Sequence, residues 1–117
     1  MCQAPIYKIC TKAALQEARS RGRFEGSPDD LPEGFIHFSA GRQVAGTLAK
    51  HYAGRSDLLL LAVDAERLGE NLRWEPSRGG DLFPHLYGPL DLSHVLWVEA
   101  LPLQEDGRHR LPAGVAP

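Results

Sequence analysis

The 117-residue chain, with 43% hydrophobic residues, 24% charged residues and a net charge of -2, has the make-up of one ordinary globular domain, residues 1-117. A chain of this length buries roughly two-thirds of its unfolded surface, and its near-neutral charge leaves no electrostatic case for nucleic-acid binding. The longest apolar run, Leu58 to Val63, falls far short of the ~20 residues of a membrane span, and Met1 to Pro5 lacks the charged and apolar regions of a secretory leader, so a cytoplasmic protein with no membrane partner is expected.

Pro5 to Cys10 alternates as a first strand, and Thr11 is placed to cap a helix that runs through Ser20 and ends near Gly22. Cys2 and Cys10 form no C-x-x-C pair, and Cys10 reads as a buried strand residue. Gly22 to Gly34, with its Gly, Pro and acidic residues, reads as an irregular loop edging a cleft. Phe35 to Phe38 is a short strand, and Ser39 is placed to cap a helix from Gly41 to Ala53 whose Val44, Leu48 and Tyr52 face the core.

The run Leu58 to Val63, bounded by polar turns, is the pattern of a central strand buried on both faces. A helical turn at Ala65 to Leu68 leads to a strand at Leu72 to Glu75. A Gly-rich loop, Ser77 to Asp81, then precedes the Pro-bounded, rigid segment Phe83 to Tyr87. Asp91 caps one turn before a strand at Val95 to Leu101, Glu105 to Gly107 turns into a last strand at Arg108 to Leu111, and residues 111-117 form a loose tail. Two early helices and late, closely spaced strands predict an α+β domain, and the absence of G-x-G-x-x-G or a phosphate loop excludes the common dinucleotide and nucleotide folds.

Polar side chains interrupt apolar surroundings at three places, and each requires either an internal partner or a cleft. His37 lies mid-strand between Ile36 and Phe38, as a core histidine bonded to backbone or as a reactive group. Ser39 is a helix cap or a ligand contact. Glu75, between Trp74 and Pro76, is a carboxylate whose pKa a dry site would raise, or the partner of Arg73 or Arg78. His85 and Tyr87 share one face of an extended segment, so they either grip a planar or sugar-like ligand or tie a loop to the core. His51, His94 and His109 are expected at the surface. His37, Glu75 and His85 are too scattered in sequence for a metal motif, and no metal is expected.

Ile6-Tyr7-Lys8-Ile9, Gly34-Phe35-Ile36-His37-Phe38-Ser39, Asp57 to Leu61, Leu72-Arg73-Trp74-Glu75 and Phe83-Pro84-His85-Leu86-Tyr87-Gly88-Pro89-Leu90, in this order, resemble the small bacterial DUF952 family over residues 6 to 112. Leu15 departs from it, since many members carry Trp there. The resemblance implies an ADP-ribosyltransferase-like fold, with split, curved sheets and a cleft between them, although the family itself has no settled activity. Its implied function is an ADP-ribosyl-type transferase or hydrolase using NAD or a related small nucleotide as substrate. In this reading Glu75 and His37 are catalytic, and Ser39, His85 and Tyr87 bind the ligand. The alternative is a non-catalytic module that binds a small ligand or protein through the same cleft.

Overall fold

The computed structural model describes residues 4-27 and 30-115, so Cys2 lies outside the described residues. The first strand, β1 (Ile6–Thr11), passes directly into α1 (Lys12–Arg21) because the Thr11 hydroxyl accepts the Ala14 N–H at 3.1 Å. Gly22, at φ 81°, closes the helix in the left-handed conformation that costs glycine nothing. Leu15, the departure from the family pattern, is buried in α1 against the core.

The remaining strands are β2 (Arg23–Phe24), β3 (Ile36–His37), β4 (Ser39–Ala40), β5 (Leu58–Val63), β6 (Leu72–Pro76), β7 (Leu82–Leu86), β8 (Leu90–Asp91) and β9 (Val95–Ala100), with α2 (Val44–His51) between β4 and β5. Among the described residues every pairing is antiparallel, in a four-stranded sheet β4-β1-β5-β9, a three-stranded sheet β3-β7-β6 and a two-stranded ribbon β2-β8. This is a mixed α+β domain with several antiparallel sheets, as the order of elements predicts.

β5 is central, paired on one side with β1 and on the other with β9. Its alternation serves two cores. Leu61 and Val63 pack with α1, Phe24, Ile36, Phe38 and Leu86, whereas Leu58, Leu60 and Ala62 pack with Val44 and Leu48 of α2. Leu111 packs against the second cluster and Val115 is buried within it, so the segment expected to be a loose tail is anchored as far as Val115.

Phe35 to Phe38 differs from the single strand expected there. The chain pairs with β7 through His37, crosses at Phe38, and then pairs with β1 from Ser39, so one extended segment edges both main sheets. The Phe38 N–H donates to the Pro84 carbonyl at 2.9 Å at the crossing. The Pro84 segment, expected as a rigid Pro-bounded stretch, is the central strand of the three-stranded sheet. A proline is tolerated there because its carbonyl faces the β3 side, where the partner strand ends after His37 and no ladder donor is required.

Two smaller expectations also change. Ser39 does not cap the second helix, because the chain stays extended and paired with β1 through Ala40. Gln43 instead closes the 3-10 turn Gly41–Gln43 that leads into α2: its Oε1 accepts the Ala40 N–H and its amide donates to the Leu82 carbonyl, both at 2.9 Å. The last hairpin, flanked by Pro102 and Pro112, is reduced to a single bridge between Leu103 and His109.

Leu60 is fully buried where β5 meets α2. Leu60→Ala is expected to lower the unfolding free energy by about 2–5 kcal/mol in urea denaturation, through lost transfer energy and the cavity left behind.

Candidate functional site

The register of the three-stranded sheet assembles the site. His37 pairs directly with His85 across β3 and β7, and His85 pairs with Arg73 across β7 and β6, so the three lie in one row. Strand alternation places Phe35, Glu75 and Tyr87 on the same face, two residues along their strands from that row. The imidazole rings of His37 and His85 are 5.3 Å apart, edge to face. Phe35 lies against both, stacked on His85 at 4.1 Å and tilted to His37 at 4.6 Å, which helps reduce the exposure of His85 to 4%.

Each histidine is held by a carboxylate at Nδ1. His85 Nδ1 lies 2.8 Å from Glu75 Oε1, which also accepts the Tyr87 hydroxyl at 2.7 Å. Since a carboxylate only accepts, it places a proton on His85 Nδ1, and in the neutral ring Nε2 is then an acceptor. That Nε2 is buried and has no hydrogen-bond partner among the described residues.

His37 Nδ1 lies 2.6 Å from Asp30 Oδ1, and its Nε2 is 3.6 Å from Glu33 Oε1. Asp30 is itself buried and also receives the Lys8 ammonium at 2.8 Å, the Ser27 N–H at 2.8 Å and the His37 N–H at 3.1 Å. Burial alone would raise its pKa. The hydrogen bonds from His37, Lys8 and Ser27 and the Lys8 charge outweigh it, bringing the carboxyl from 3.8 down to about 2.

Glu75 does not take the raised pKa of a dry site, one of the two readings the sequence allows. Its pKa is lowered, first by the Tyr87 hydroxyl and then by His85, because it faces donors while Trp74 projects to the other side of β6, where it is 43% exposed. The same bond raises the pKa of Tyr87. Arg73 does not pair with Glu75 but lies over the Tyr87 ring at 5.0 Å, and the Arg78 side chain lies outside what the structure describes.

A cleft of about 670 Å³ opens between the two main sheets, on the side where the chain crosses at Phe38. His37, His85 and Ser39 line it, together with Tyr7 and Lys8 of β1. Thr47, Lys50 and His51 of α2 form another wall. The Ser39 hydroxyl shares a 3.1 Å hydrogen bond with Thr47. Glu75 and Tyr87 do not line the cleft, and they reach it only through His85. Of the outlying histidines, His51 is exposed at the cleft, His94 is half-buried, and His109 Nε2 bonds the Arg55 carbonyl at 2.6 Å, tying the C-terminal turn to the loop before β5.

Asp30, Phe35 and Lys8 were not singled out as site residues by the sequence. Lys8 did carry a signal, because it falls on the same face of β1 as Ile6 and Cys10, and a charge placed among core residues requires a buried counter-ion. That requirement points to an acid elsewhere without naming which one.

The sequence profile of a protein of unknown function, DUF952, matches residues 9–98, and the chain belongs to that family. The chain is similar to protein CC0527 from Caulobacter crescentus. Its crystal structure is 53% identical, with TM-score 0.87, over 91% of this chain and 93% of that one. The solution structure of CC0527 is 53% identical, with TM-score 0.81, over 91% of each chain. A comparison with curated proteins found no match.

Asp30 generates two expectations. Asp30→Ala leaves the Lys8 ammonium buried and unpaired, and should cost about 3–5 kcal/mol in urea denaturation, part of which Lys8→Met restores in the double variant. Because the native pKa of Asp30 lies below its unfolded value, its stabilisation is complete above the unfolded pKa and is lost as pH falls from 3.8 toward about 2. The wild type should therefore lose about 2 kcal/mol over that window that an Asp30→Asn variant does not lose.

Proposed function

We propose that this DUF952 chain is an ADP-ribosyl-type hydrolase or transferase that takes NAD or a related nucleotide into the cleft between its two sheets. The observation that carries the reading is the buried Nε2 of His85, unpartnered among the described residues and backed through Nδ1 by Glu75, on the wall of a cleft. A buried imidazole nitrogen without a partner costs stability unless a ligand satisfies it, which is why perturbed polar groups in clefts mark functional sites.

In this reading Glu75 does not meet the substrate. It fixes the tautomer and orientation of His85, and Tyr87 fixes Glu75 in turn. His85 Nε2 accepts a hydrogen bond from a ribose hydroxyl, and the electron-richer oxygen stabilises positive charge at the neighbouring anomeric carbon as its bond to the leaving base breaks. The bonding pair leaves with the base. Water or an acceptor hydroxyl then forms the new C–O bond and releases its proton to solvent. Ser39 and His37 contact the sugar or its phosphate from the crossing segment. An ADP-ribosyltransferase-like arrangement of split sheets, which the sequence resemblance implies, supports the same substrate class.

Calorimetric titration with NAD and ADP-ribose, combined with an assay of nicotinamide release, tests the proposal. Binding with turnover is expected. His85→Gln and Glu75→Gln should each reduce turnover by about 100-fold or more with an unchanged circular dichroism spectrum. Failure of both ligands to bind at millimolar concentration rules the proposal out, and binding without turnover assigns the cleft to a non-catalytic module.

A further inference from the structure

We infer, resting on that reading, that Glu33 is the general base of the reaction, taking the proton from the water or acceptor hydroxyl that attacks the anomeric carbon. The inference comes from the carboxylates that face the cleft. Among the described residues only Asp30 and Glu33 line it, since Glu75 stands behind His85. Asp30 is already engaged at both oxygens: Oδ1 meets the backbone N–H and the Nδ1 of His37, and Oδ2 receives the Lys8 ammonium and the Ser27 N–H. Against its burial, those partners bring its pKa down to about 2, which makes it a poor proton acceptor at neutral pH.

Glu33 is the opposite case. Its side chain is 55% exposed and its carboxylate accepts no hydrogen bond from any described residue. Its place is nevertheless fixed. It ends a 3-10 turn, Leu31–Glu33, built on the Asp30 carbonyl, which accepts the Glu33 N–H at 3.0 Å and the Gly34 N–H at 3.2 Å. The Nε2 of His37, whose ring Asp30 anchors at Nδ1, lies 3.6 Å from Glu33 Oε1. A carboxylate there is met by an N–H, which steadies the acid at the rim and leaves its remaining lone pairs open. The rings of His37 and His85 are 5.3 Å apart, so Glu33 stands one imidazole away from the nitrogen that holds the ribose hydroxyl, on the side open to solvent. As the C–N bond to the leaving base breaks and its electron pair departs with the base, the attacking oxygen forms the new C–O bond. Its O–H bond breaks at the same time, the pair staying on oxygen and the proton passing to Glu33, which returns it to solvent.

The test combines nicotinamide release from NAD with calorimetric titration of ADP-ribose, on the wild type, Glu33→Gln and Glu33→Ala. Exposure of the side chain predicts that both variants fold, which circular dichroism checks. Each should lose turnover by about 100-fold or more while ADP-ribose affinity stays within about twofold. Added formate, a small carboxylate that fits the space vacated in Glu33→Ala, should raise the rate of that variant by about tenfold and leave Glu33→Gln unmoved. A Glu33→Gln rate within about threefold of wild type, a loss of ADP-ribose affinity that matches the loss of rate, or a Glu33→Ala rate that formate does not change overturns the assignment and leaves the reading beneath it standing. A wild type that releases no nicotinamide removes that reading, and this inference with it.

Discussion

One buried carboxylate sets the geometry on which the site depends. Asp30 receives the Lys8 ammonium from the four-stranded sheet, the Ser27 N–H from the loop, and both the backbone N–H and the imidazole of His37 from the three-stranded sheet. It is the point at which two sheets and the loop between them are fastened. Its low pKa follows from this: four donors hold an anion that burial alone would disfavour. A charge pair so deeply buried is weak evidence for net stability, since apolar residues of equal volume can do as well. What it supplies is position. It fixes β1 against β3 and orients His37 along the cleft.

The second carboxylate, Glu75, works in the same manner from the opposite edge strand of the sheet, gathering His85 and Tyr87. The resulting face is symmetrical in chemistry, an imidazole on an acid beside an imidazole on an acid, but unequal in environment. His37 is about one-third exposed and has Glu33 nearby, whereas His85 is buried beneath Phe35 and has no partner at Nε2 among the described residues. Groups of the same type in different surroundings can take different roles, and this difference makes His85 the focus of the proposed activity.

Much of the fold was legible in the sequence where local chemistry decides it. The six-residue apolar run marked β5 as central, Thr11 and Gly22 marked the ends of α1, and strand alternation placed His85 and Tyr87 on one face. What could not be read locally depended on partners distant in sequence. Extended character in Phe35 to Ala40 says nothing about which sheet each residue joins, and the crossing at Phe38 is set by β7 on one side and β1 on the other. Ser39 resembled a helix cap until pairing with β1 kept the chain extended past it. Asp30 was hidden among acidic loop residues, and only the buried Lys8 hinted that such a partner was needed. For Glu75, the side of the strand taken by Trp74 and the donors that the carboxylate meets depend on β7.

The claim at the centre of this account is that His85 presents a bare Nε2 to a ligand. Nitrogen-15 NMR of the histidine rings measures it directly. The free protein should show His85 with its proton on Nδ1 and none on Nε2, and saturating ADP-ribose should shift the Nε2 resonance as it gains a hydrogen-bond donor, leaving Nδ1 on Glu75. A proton found on Nε2 in the free protein, or a His85 Nε2 resonance unmoved by bound ligand, would contradict the account.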